Sequence, residues 1–135
     1  MTWERIYTVN SFYDCPRLGV ADFDGKPHIF ESPFDEEADD YSEDFLLVEI
    51  EPALLALVLE DWGIWLRWKA AYLAGEALAS HPALPTDRAR HDELRGLIGE
   101  RFTAQVPNAT KMRARFRNRN AQSEGEVEWL PLAPA

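Results

Sequence analysis

The chain has 135 residues, 46% of them hydrophobic and 12% aromatic, a composition that supports a folded core and excludes a disordered tail. Its formal net charge of −10 at pH 7 disfavours a nucleic-acid-coating role and favours solubility. A single cysteine, Cys15, excludes an internal disulfide and makes a reducing, cytoplasmic compartment the default expectation.

No basic region followed by an apolar run opens the chain, so no signal peptide is expected. Strands are predicted over residues 5–9 and 18–23, rich in β-branched and aromatic types and separated by Asp14-Cys15-Pro16. Asp24-Gly25 is the strongest hairpin signal, because a tight primed turn needs positive φ. The returning strand, 27–31, carries His28 and Phe30 on one face. Pro27 suggests that it lies at or near a sheet edge.

Residues 31–51 hold ten acids and no lysine or arginine. Residues 32–43 read as a loop, and 45–50 as a short strand. Residues 52–78 read as one long helix opened by Pro52, whose missing N–H costs nothing in the first turn. Trp62, Trp65 and Trp68 with Leu54, Leu57 and Tyr72 form a broad apolar stripe on it; Glu60, Gly63 and Arg67 lie opposite. Glu60, Asp61, Arg67 and Lys69 interrupt its apolar character, so it is not a membrane span. A second helix, capped by Thr86, is expected to run to about Phe102 and bury Leu94, Leu97, Ile98 and Phe102.

Residues 110–119 return to period two, with Lys111, Arg113, Arg115, Arg117 and Arg119 on one face and Met112, Ala114 and Phe116 on the other. A polar turn over 120–125 and a strand over 126–130 close a hairpin, followed by a short Pro-rich tail. The expected fold is α+β, one domain over residues 1–135. An antiparallel sheet of about five to six strands packs on one long and one shorter helix, in two layers.

Charge is divided along the chain: residues 1–62 hold 16 acids and 3 bases, residues 63–135 hold 8 acids and 11 bases. The acidic segment either lies across the basic strand and neutralises it, or meets a basic partner. Asp61 falls inside the tryptophan stripe. There it either pairs with an arginine such as Arg17 or Arg113, or accepts bonds from indole or backbone N–H groups, or stands desolvated with the raised pKa a general acid needs. The three histidines show no metal-ligand spacing, and there is no HExxH, GxGxxG, GxxxxGK[ST] or GxSxG motif, so neither metal nor cofactor is expected. Asp22-Phe-Asp24-Gly reads as a hairpin turn rather than a calcium loop. A cation beside Cys15 would lower its pKa.

The leading functional reading is a non-enzymatic interaction domain, immunity- or inhibitor-like. It presents Asp35, Glu36, Glu37, Asp39, Asp40, Glu43 and Asp44 to a basic protein. The second is a small-molecule site in a cleft between sheet and long helix, built on Asp61, Trp65, Trp68 and His28. The third is a nucleic-acid accessory role for Arg113, Arg115 and Arg117, disfavoured because Phe116 points to the core side and the molecule is anionic. An exposed remainder of the tryptophan stripe would favour a dimer.

Overall fold

The computed structural model describes residues 2–79, 81–120 and 122–132. The end of the Pro-rich tail and Ala121 of the 120–125 turn lie outside them. The fold is α+β. Its elements are β1 (Trp3–Tyr13), β2 (Cys15–Phe23), β3 (Lys26–Glu31), β4 (Phe34–Asp35), β5 (Asp40–Tyr41), β6 (Phe45–Glu49), α1 (Pro52–Leu73), α2 (Arg88–Ile98), β7 (Thr110–Arg117) and β8 (Glu126–Leu130). They form two compact units: residues 1–50 with 103–135, and residues 51–102.

The first unit is a barrel. Six strands close in the order β1-β2-β3-β6-β7-β8, every neighbour antiparallel, and β8 returns to β1 through Trp3↔Glu128, Glu4↔Val127 and Arg5↔Glu126. The expected open sheet is therefore corrected to a closed one, and β3 is not an edge strand: it lies between β2 and β6. Pro27 is tolerated at the second position of the strand, opposite Asp22 and beside the Asp24-Gly25 turn. Closure needs curvature, and β1 supplies it with three register shifts against β2.

Alternation decides what fills the barrel. Phe30, Phe45, Phe116 and Trp129 point inward and meet at ring-centroid distances of 5.7 to 6.4 Å. Leu47 and Val127, cross-strand partners of Phe30 and Phe116, complete this interior, both essentially without solvent contact. The Trp129 indole N–H donates to the Asp22 carbonyl at 2.9 Å, so a large ring is buried with its polar atom satisfied. Thr8 is also fully buried; its Oγ1 accepts from the Val20 N–H at 3.0 Å, repairing a ladder position lost to the bulge.

The second unit is a helix pair. α1 ends at Leu73, five residues before the expected limit, with Gly75 at φ +76°. The Trp68 indole N–H then reaches forward to the Leu78 carbonyl at 2.9 Å. Trp62 stacks on Trp65 at 4.7 Å, and Leu54, Val58, Trp62 and Ile64 are buried. Leu57 and Ile64 of α1 pack with Leu94 of α2 and Ala83. α2 buries Leu94 only; Leu97, expected in the core, is half exposed, and Thr86 does not cap the helix. No helix is long and apolar enough to cross a membrane, among the described residues.

Candidate functional site

The acidic run contains structure that its composition conceals. Phe34–Asp35 and Asp40–Tyr41 pair as a two-stranded hairpin separate from the barrel ladder. Asp35 Oδ1 accepts from the Glu37 N–H at 3.0 Å and the Ala38 N–H at 3.4 Å, while the Asp39 N–H donates to the Glu36 carbonyl at 3.3 Å. Asp39 takes φ +53°, a left-handed position that Asp tolerates because its short side chain bonds locally. The acids that make the run anionic thus also make it turn.

The base of the hairpin is fastened to the barrel unit. The Ser42 N–H donates to the Pro33 carbonyl at 2.8 Å, and the Ser32 hydroxyl donates to the Ser42 carbonyl at 2.6 Å. Arg17 Nη1 donates to that same hydroxyl at 3.0 Å. Tyr41 stacks on Tyr13 at 5.6 Å, meets Phe34 edge-on at 5.2 Å and lies under the Arg17 guanidinium at 4.9 Å. Tyr13 and Phe34 keep 60% and 50% of their surface exposed.

The seven acids named from the sequence divide into two sets. Glu43 and Asp44 are held by Arg113 at 3.2 and 3.0 Å. Asp35, Glu36, Glu37, Asp39 and Asp40 are all exposed and have no ion-pair partner among the described residues. Internal neutralisation therefore reaches the foot of the hairpin and stops. Glu31, at the start of the run, has a structural duty: it accepts from Thr103 Oγ1, the Ala104 N–H and Gln105 Nε2 at 2.7 to 3.0 Å. A concavity of about 540 Å³ at the hairpin's foot is lined by Pro33, Ser42, Asp44, Gln105, Pro107 and Lys111, among others.

The arginine ladder is matched by carboxylates. Arg115 pairs with Glu128 at 3.5 Å, Arg117 with Glu126 at 3.2 Å and Arg119 with Glu124 at 3.6 Å. Aromatics do stand with it, but they come from β1: Arg117 lies 4.0 Å from the ring centre of the half-buried Trp3 and Arg119 4.5 Å from that of the exposed Phe12. Sequence reasoning missed them because only the β8–β1 closure brings β1 to this wall. An anion bound here would have to displace a carboxylate from each guanidinium in turn.

Asp61 has a partner the sequence did not suggest. His91 Nδ1 lies 2.6 Å from Asp61 Oδ1, and the His81 ring meets His91 edge-on at 6.1 Å. His81 Nδ1 is buried with no hydrogen-bond partner among the described residues. The expected arginines are engaged elsewhere: Arg17 with Asp14 at 2.6 Å, and Arg113 with Glu43 and Asp44. Trp65 stacks on Trp62 and carries the Lys69 ammonium 5.1 Å from its ring centre; Trp68 stacks on Tyr72. His28, in the barrel unit, has Nδ1 2.7 Å from the Lys26 carbonyl and its ring against Phe23. No three His, Cys, Asp or Glu side chains are grouped to hold a metal, among the described residues.

Two further pairs tie α1 to α2. Arg67 clamps Asp87 with bonds of 2.9 and 3.1 Å, and Arg90 clamps Glu60 with bonds of 2.6 and 2.7 Å while also bonding Glu93. These bonds hold the Asp87 and Glu60 carboxyls below their ordinary pKa and push both guanidinium values up. Cys15 behaves opposite to the sequence expectation. Burial raises its thiol pKa, and the neighbouring Arg17 only partly offsets that rise.

No family model, curated protein or solved structure matches the chain. The functional reading therefore rests on the geometry alone.

Proposed function

We propose that the chain is a non-enzymatic interaction domain that presents the β4–β5 hairpin to a basic protein, in the manner of an immunity protein or inhibitor. The observation that carries this reading is the contrast in charge pairing. Arg113, Arg115, Arg117 and Arg119 each have a carboxylate, whereas the five acids at the hairpin tip have no cation among the described residues. Five like charges on a short turn repel one another, a cost that an outside cation would offset. The pinned base limits the ordering entropy lost on docking, and Tyr13, Phe34 and Tyr41 add apolar anchors beside the charge. A basic partner would be steered by this field, with association that slows as salt rises.

The test is an affinity enrichment from host lysate at low and high salt with three baits. These are the natural chain, a chain with Asp35, Asp39 and Asp40 changed to Asn, and a charge-matched control with Glu49, Glu76 and Glu100 changed to Gln. The proposal expects a basic protein held by the first and third baits at low salt and lost by the second. Equal retention on all three baits, or equal loss from the second and third, would reject a hairpin-specific role.

A further inference from the structure

Apolar residues surround α1, and its three faces differ in exposure. One row, Leu57, Glu60, Asp61, Ile64 and Arg67, faces α2 and its approach segment through the contacts and bonds described above. Leu54, Val58 and Trp62 are buried on a second face. The third face, roughly 130° around the helix from the α2 row, holds Ala56, Leu59, Gly63, Leu66, Ala70 and Leu73. Leu59, Leu66 and Leu73 are 38%, 41% and 72% exposed. This is not the expected remainder of the tryptophan stripe; it is the side the sequence assigned to Gly63, cleared of charge.

The spacing on that face is a heptad, with small residues at 56, 63 and 70 and leucine at 59, 66 and 73. We infer that this seam pairs antiparallel with the same seam of a second copy of the chain. A two-fold axis midway between Gly63 and Leu66 sets Leu66 against Gly63, Leu59 against Ala70 and Leu73 against Ala56. Every leucine then meets a small residue at each of the six positions. A parallel pairing sets Gly63 against Gly63 and leucine against leucine, leaving a hole and a crowd in alternation.

The area agrees with a modest dimer. From residue 56 to 73 the seam runs about 26 Å, and two such faces would bury on the order of 1,000 Å² in total, the lower limit for a specific interface. Self-association is therefore concentration-dependent rather than obligate. Gly63 supplies an independent handle. A Cβ there would meet nothing closer than Arg67 Nη1 at 3.7 Å, so a side chain fits the single copy and obstructs only the close approach of another helix.

The experiment is sedimentation equilibrium of the full chain from about 5 µM to about 1 mM. It is run on the natural protein, Gly63→Leu, Leu66→Glu and a Tyr72→Ala control, with circular dichroism for fold. The natural chain and the control should shift from monomer to dimer, whereas Gly63→Leu keeps its helix signal and stays monomeric at least tenfold higher in concentration. A spin label on Ala53→Cys in a Cys15→Ser background should report a separation of about 35 Å in the dimer. A chain monomeric throughout, a dimer indifferent to Gly63→Leu, or a label distance below about 20 Å would overturn the inference. So would a monomer that binds neutral phosphatidylcholine vesicles through this face.

Discussion

At the scale of single residues, Gly19 is the tightest constraint in the barrel. A Cβ at this position would lie 2.1 Å from the Thr8 carbonyl oxygen and 2.8 Å from the Phe30 ring, and the backbone oxygen cannot move aside. Gly19→Ala should cost about 3 kcal/mol or more by forcing β1 away from β2, read as a lowered urea midpoint. A cost below about 1 kcal/mol would mean that the two strands are farther apart. Asp61 makes a second residue-scale statement. Asp61→Ala leaves the His91 ring nitrogen without its acceptor and should destabilise the helical unit by about 1–3 kcal/mol, whereas Arg17→Ala and Arg113→Ala should leave helix melting unchanged. The sequence placed Asp61 as an anomaly on an apolar face. It did not single out His91, because a partner thirty residues away on another helix leaves no local pattern.

At the scale of elements, period was informative and pairing was not. The alternation over 110–117, the Asp24-Gly25 turn and the Pro52 helix start all stand where local physics puts them. The β4–β5 hairpin escaped notice because its turn is made by aspartates bonding their own backbone. Those residues give the same composition as a solvated loop. α1 ended early because Gly75 takes a left-handed φ, and the bond from Trp68 to the Leu78 carbonyl continues its apolar pattern past the helix end. The α1–α2 junction carries a pH dependence whose sign follows from its ion pairs. Glu60 and Asp87 have folded pKa values below their unfolded ones, so their contribution is present above the ordinary carboxyl range and lost as pH falls through the lowered values. Acid titration should loosen α2 below about pH 4, seen as faster amide exchange over 88–98. Exchange there that stays constant down to about pH 2.5 would deny the pairs any role.

At the scale of the whole molecule, the closed barrel changes what the charge division means. An open sheet would have left the arginine strand free to meet the acidic segment or an outside anion. Closure instead sets β8 between β7 and β1, and Glu126 and Glu128 take up Arg117 and Arg115. Arg115 and Arg117 of β7 are thereby neutralised within their own wall, while the acids at the hairpin tip are left over. Nothing short of the Trp3↔Glu128 register could have shown this, since its partners lie at opposite ends of the chain. Five of the acids behind the chain's net charge of −10 stand together at one turn. Carboxyl footprinting of the full chain, alone and bound to the protein enriched by the natural bait, tests this account most directly. Asp35, Glu36, Glu37, Asp39 and Asp40 should label fast in the free chain while Glu31, Asp61 and Glu128 label slowly, and the first five should become protected in the complex. A hairpin that labels equally fast in the bound chain, with protection appearing elsewhere, would contradict the account.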